Sequence, residues 1–230
     1  RNNSQDWDLK QDIYNVSLNT TSSAFTSSFV LNSDWGADQN SPGSIQFRFK
    51  TNGIPSASYS PITQSIFTTD STSRVAMGID YSTSLLTTGP YSGSVSSKYK
   101  EYGTLKFWPN IDTNPGNFAS LYLPFWDGGW WSVQVDRDYA TNEFTLNAAN
   151  KIGENLGFTG SFTISADIQQ WENSSEIRWL PQNYVPLAGD NYFPFSGSFQ
   201  EVRYYTEVIS ESVFYDYTMN PYSFEGNGTM

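Results

Sequence analysis

The densest run of residues able to hold a ligand lies between Gln169 and Pro194, where Trp171, Trp179, Tyr184 and Tyr192 are interspersed with Glu172 and Asp190. Aromatic faces stack on sugar rings and are equally suited to protein interfaces. The stretch has no clear hydrophobic period, and loops longer than about 12–15 residues without regular structure are uncommon and often functional. Trp171, Trp179, Tyr184, Asp190 and Tyr192 are therefore the candidate ligand-binding residues. Two carboxylate pairs could in principle serve as acid and base, Asp136 with Asp138 and Glu207 with Glu211. The first lies at the edge of a chain reversal and the second spans the start of a helix, so neither reads as a catalytic pair. Without histidine, neither a Ser-His-Asp constellation nor a histidine metal triad can be built. Without cysteine there is no thiolate nucleophile, zinc-thiolate site or disulfide. No enzyme is expected.

The elements that would carry these residues are strands. Trp131, Val133 and Val135 alternate with Ser132, Gln134 and Asp136, the period of a sheet with one buried face and one wet face. Asp127-Gly128-Gly129 breaks the chain before that strand, and 137–142 form a polar reversal before Phe144 and Leu146 resume the alternation, which predicts an antiparallel meander. Ile45, Phe47 and Phe49 mark an earlier strand. Gln64 to Thr68, Arg74 to Asp80, Leu105 with Phe107, and Phe162 with Ile164 mark others, and Phe25, Phe29 and Leu31 fit a weaker one. Ser210 is a natural helix N-cap, with Glu211 in the first turn, and the helix ends by Asn220-Pro221. Val213, Phe214 and Tyr217 would share its inner face.

Composition sets the bounds. The 230 residues suit a single all-β domain. Only 37% are hydrophobic, yet 17% are aromatic, and large rings bury about 150–250 Å² each, so an aromatic-heavy core is expected. The 12 basic residues against 23 acidic ones give 12 − 23 = −11, a field that repels phosphate backbones and anionic lipids. Nucleic acid and membrane partners are not expected. The chain opens on Arg1, not Met, and is read as a processed product or a piece of a longer polypeptide. Residues 1–19 form an N-terminal arm whose Trp7 is a candidate interface residue, 20–222 the domain, and 223–230 a tail. Sequons stand at Asn2, Asn15, Asn19, Asn173 and Asn227.

The order Leu-Pro-Phe-Trp-Asp-Gly-Gly-Trp-Trp-Ser-Val-Gln-Val (123–135), a short hairpin, then Phe-Thr-Leu-Asn-Ala-Ala resembles the central signature of laminin-G-like (concanavalin A-like) jelly-roll domains. Ser44 to Lys50 is similar to that family's early strand, and Gly197 to Tyr205 with Ile209-Ser210-Glu211 to its closing strand and short helix. The resemblance implies an all-β, two-sheet antiparallel sandwich with one short C-terminal helix, hosting binders or enzymes. It also implies a rim-loop calcium ion, for which Asp34, Asp38 and Asp127 are the candidate ligands, with Asp112 beside them; no Asp-x-Asp-x-Asp loop is present. A glycoside hydrolase of this architecture would carry Glu-x-Asp-x-x-Glu, which is absent.

The expected function is a non-enzymatic, lectin-like recognition or structural module on an extracellular or virion surface, binding glycans. The alternative is a subunit of a larger assembly that meets other protein subunits and binds no sugar. The acidic, Ser/Thr/Asn-rich composition resembles the jelly-roll appendages of large viruses and phages, which is an analogy of fold and not of chemistry.

Overall fold

The computed structural model describes residues 25–26, 43–55, 63–69, 74–81, 101–138, 140–166, 177–180, 185–187, 189–205 and 208–221. The chain runs β1 (Phe25–Thr26), β2 (Ser44–Thr51), β3 (Thr63–Thr69), β4 (Ala76–Asp80), β5 (Gly103–Trp108), β6 (Ala119–Leu123) and β7 (Trp131–Asp138). It continues through β8 (Glu143–Ile152), β9 (Asn155–Ser165), β10 (Ile177–Trp179), β11 (Val185–Leu187), β12 (Asp190–Pro194), β13 (Gly197–Tyr205) and α1 (Glu211–Met219). No helix among the described residues is long and apolar enough to cross a membrane.

These strands form a two-sheet sandwich with jelly-roll connectivity. The smaller sheet is ordered β13-β2-β7-β8-β9, and the larger β1-β10-β3-β4-β5-β6, with the β11–β12 hairpin joined to it through β3. Pairing is antiparallel throughout except where β12 runs parallel to β3, Phe193 opposite Gln64 and Pro194 opposite Ser65. The stretch 169–194, expected to lack regular structure, thus holds three short strands. Their brevity hides any period, because runs of three to five residues are too short to set an alternation apart.

The apolar halves of the alternating strands meet between the sheets. Ile45, Phe47 and Phe49 of β2, Trp131, Val133 and Val135 of β7, and Met77, Ile79, Leu105 and Phe107 of the larger sheet are all fully buried. Rings dominate, as composition implied: Trp179 lies with its centroid 4.9 Å from Phe67, 5.1 Å from Phe199 and 5.2 Å from Phe47. Asp127 builds the turn that starts β7. Its Oδ1 accepts from Gly129 N at 2.7 Å and from Trp131 Nε1 at 3.2 Å, while Gly128 takes φ +73°, which glycine adopts without strain.

The outward face of β7, expected to be wet, is not. Ser132, Gln134 and Asp136 are buried because α1 lies across β7 and β8 with Phe214, Tyr217 and Thr218 turned inward. The polar layer beneath is hydrogen-bonded, as burial requires. Asp136 accepts from Ser44 Oγ (2.6 Å), Gln134 Nε2 (2.9 Å) and Asn147 Nδ2 (2.8 Å). Ser44 Oγ in turn accepts from Ile209 N, and Gln134 Nε2 donates to Ile209 O, which fixes the approach to the helix. Ser210 caps α1, accepting from Val213 N.

Candidate functional site

In the larger sheet the strands that fill the core with one set of side chains present the alternate set on the opposite face. Register places Asp80 beside Thr104 and Tyr122, Gly78 beside Lys106 and Ser120, and Ala76 beside Trp108. At the centre Lys106 Nζ pairs with Asp80 and lies over the rings of Phe118 (5.7 Å) and Trp108 (6.0 Å). Phe118 packs on Trp108 at 5.7 Å. Towards the other end Tyr122 meets Tyr102 at 5.2 Å, and Tyr102 meets Phe158 of β9 at 6.5 Å. Tyr102, Phe118 and Tyr122 are half-buried. Phe118 immediately precedes β6 and Tyr122 lies within it, four residues on, about 13 Å at the extended rise. Burial, with Tyr102 and Tyr81 beside it, holds the Tyr122 hydroxyl above the ordinary tyrosine range, so it is a neutral donor and acceptor at physiological pH.

One side of this face is walled by the β11–β12 hairpin. Tyr192 folds over Gly78 and packs edge-on against Trp108 at 5.9 Å, with Leu187 and Ile111 closing a small second core. Burial drives the Tyr192 hydroxyl far above its usual range; Asp80, which accepts its hydrogen bond, and nearby Asp190 add to the effect. Asp80, Lys106 and the Asp190 hairpin therefore meet at one place.

Several expected site residues land elsewhere. Trp179 is fully buried in the inter-sheet core, because β10 pairs with β3 and turns it inward opposite Phe67, so its ring is not offered to a ligand. Tyr192 is buried too (1% exposed), folded onto Gly78 on the outer face and packed into the small second core, so its ring walls the face without being offered to a ligand. Asp190 is exposed at the rim. Trp171, Tyr184, Asp34, Asp38 and Trp7 lie outside the described residues. Asp127 is exposed, but its Oδ1 is spent on its own turn and its Oδ2 lies 3.5 Å from Asn150 Nδ2 of β8. Asp112 is clasped by Arg74 at 2.7–3.1 Å. Among the described residues no three metal-ligating side chains converge. Of the carboxylate pairs, Asp136 is buried and triply bonded beneath α1, and Glu211 accepts from Tyr215 on its own helix.

Sequence reasoning missed Lys106, Tyr102, Phe118 and Tyr122. The signal was present in the strand of Leu105 and Phe107: if those point inward, Thr104 and Lys106 point outward.

A second polar cluster sits on the smaller sheet. Glu201 and Val202 form a bulge between Gln200, opposite Arg48, and Arg203, opposite Gln46; Glu201 takes φ +60°. The bulge aims the buried Glu201 carboxylate between Arg48 (3.7 Å) and Arg203 (3.6 Å), while Arg48 lies 5.3 Å over Trp130 and Arg203 4.9 Å over Tyr217. The two arginines thus share one carboxylate.

No protein-family model matches the chain, and no curated protein matches it. Among solved structures the chain is similar to the CBM40 module of the Ruminococcus gnavus IT-sialidase, at 15% identity over 81% of this chain and 84% of that one, with a TM-score of 0.45. It is similar as well to that module bound to α2,3-sialyllactose (14% identity, 77% and 82% covered, TM-score 0.45) and to a heptameric SAP-like pentraxin from Limulus polyphemus (12% identity, 77% and 69% covered, TM-score 0.41).

Proposed function

We propose that the chain is a non-enzymatic, lectin-like module of an extracellular or virion surface, and that the outer face of the larger sheet binds neutral glycans. The observation that carries this reading is the arrangement along β5 and β6. Half-buried rings, Phe118 at one end and Tyr122 with Tyr102 at the other, bracket the polar run of Lys106, Asp80, Thr104 and Ser120. A pyranose presents an apolar C–H face and a rim of hydroxyls, and ligand sites of this kind combine aromatic walls with a few placed polar groups. The sheet supplies both without rearrangement. Lys106 is neutralised by Asp80, Asp190 adds an acid at the rim, and the chain carries −11, so uncharged sugars suit the face better than acidic ones.

The test is binding of the purified chain to immobilised neutral and acidic glycans, beside Tyr122→Ala and Lys106→Ala variants whose folding is verified by near-ultraviolet circular dichroism. Retention on a neutral class, weakened at least about tenfold in both variants, is the expected result. No neutral-glycan binding, or binding that both variants retain, would remove this face from the function.

A further inference from the structure

We propose that β9 is the seam of a two-fold homodimer, pairing edge to edge with β9 of a second copy of this chain. This inference stands apart from the glycan reading. β9 closes the smaller sheet, and among the described residues it pairs with β8 alone. Edge strands that stay single are commonly short, charged or broken by proline. β9 is 11 residues long, Asn-Leu-Gly-Phe-Thr-Gly-Ser-Phe-Thr-Ile-Ser, with no charged residue and no proline. Phe158 and Phe162 stand 42% and 46% exposed along it, and Ile152 is 53% exposed at the neighbouring end of β8. Half of the exposed large hydrophobics among the described residues thus belong to one hairpin.

The residue order says which partner fits. Around Gly160 the run Phe158-Thr159-Gly160-Ser161-Phe162 presents the same residue classes in both directions. Antiparallel pairing of two copies centred on Gly160 sets each Phe158 opposite the other copy's Phe162 and each Thr159 opposite its Ser161. The two glycines meet on the axis. An isologous interface requires this self-complementarity, with residue i meeting j and j meeting i, and a strand from an unrelated partner has no need of it. A one-residue slip would set phenylalanine against hydroxyl and turn the rings to the wrong face, so the register specifies itself. Charge points the same way. Two copies of a −11 chain repel, and an uncharged strand is where they approach without opposing like charges. Five matched pairs bury less than the roughly 800 Å² per partner of a stable complex, so the dimer is weak and concentration-dependent.

Sedimentation velocity of the whole chain over a wide concentration series tests this, together with cross-linking, for which the absence of native cysteine is convenient. The expected results are a monomer–dimer equilibrium weakened at least about tenfold by Phe162→Lys, and disulfides that form in an equimolar mixture of Thr159→Cys and Ser161→Cys several-fold faster than in either variant alone. A monomer at every concentration would overturn the proposal. So would a dimer that Phe162→Lys leaves intact, or cross-linking equal in the mixture and the single variants; capture of another protein by β9 without self-association would mean a different occupant.

Discussion

Tyr192 rests on Gly78, so closely that a Cβ added at Gly78 would stand 2.5 Å from the tyrosine's Cε1 and 3.3 Å from the carbonyl oxygen of Gln64. The missing side chain is what lets the β11–β12 hairpin lie flat against the larger sheet and bring Asp190 towards Asp80. Gly78→Ala must push the ring away or distort β4, an overpacking that costs about 1–3 kcal/mol. Urea denaturation should show a lower midpoint with an unchanged slope. A Gly78→Ala protein as stable as the parent would mean the ring has another place to go. Tyr192→Phe, which keeps the packing and loses the hydrogen bond to Asp80, should cost about 1 kcal/mol.

Asp136 makes stability depend on pH in a direction opposite to most carboxylates. Burial beneath α1 pushes its pKa from 3.8 up to about 6, although hydrogen bonds from Ser44, Gln134 and Asn147 pull the other way. A group raised in the folded state stabilises the fold fully below its unfolded pKa and loses that contribution as pH rises through the folded one. The window is therefore about pH 4 to 6, and the difference corresponds to about 3 kcal/mol. Urea titrations across that window should show the parent losing stability with rising pH relative to Asp136→Asn, which cannot ionise. Parallel pH profiles would place the titration elsewhere.

Trp179 shows where reading the sequence stopped. The long strands were legible because Ile45-Phe47-Phe49 and Trp131-Val133-Val135 repeat their alternation often enough to fix both type and inward face. β10 has three residues, so nothing local distinguished an inward Trp179 from an exposed one; its pairing with Phe67, more than a hundred residues away in sequence, decides that. The same limit hid the outer face of the larger sheet, which gathers Lys106, Tyr122 and Asp80 from three strands. The helix was legible from its cap, but that it would bury Gln134 and Asp136 depends on where the chain returns after β13. Trp179→Ala should consequently behave as a core deletion, costing about 3–5 kcal/mol, with any loss of ligand binding following loss of fold. A Trp179→Ala protein of near-parental stability with impaired glycan binding would restore the residue to the site.

Glu201 offers the sharpest separation between a structural clamp and a binding site. Its carboxylate lies between the Arg48 and Arg203 guanidiniums at 3.7 and 3.6 Å, and its backbone holds a left-handed φ of +60°. A non-glycine residue in that conformation costs on the order of 1 kcal/mol or more, which the bulge tolerates because the side chain is needed between the arginines. Glu201→Gln keeps the shape and removes the charge, leaving the buried Arg203 and the half-buried Arg48 facing each other without it. The loss should be about 3 kcal/mol, towards the lower end for a buried pair because Arg48 is partly solvated. Replacing Arg48 by Gln in that background should recover part of the loss, since the double variant no longer holds two uncompensated charges, and a double-mutant cycle read by urea denaturation measures the coupling. Glu201→Gly would relieve the backbone and still destabilise if charge dominates. A Glu201→Gly protein more stable than the parent would mean that strain outweighs the clamp, and would make this bulge a second face to test for ligands.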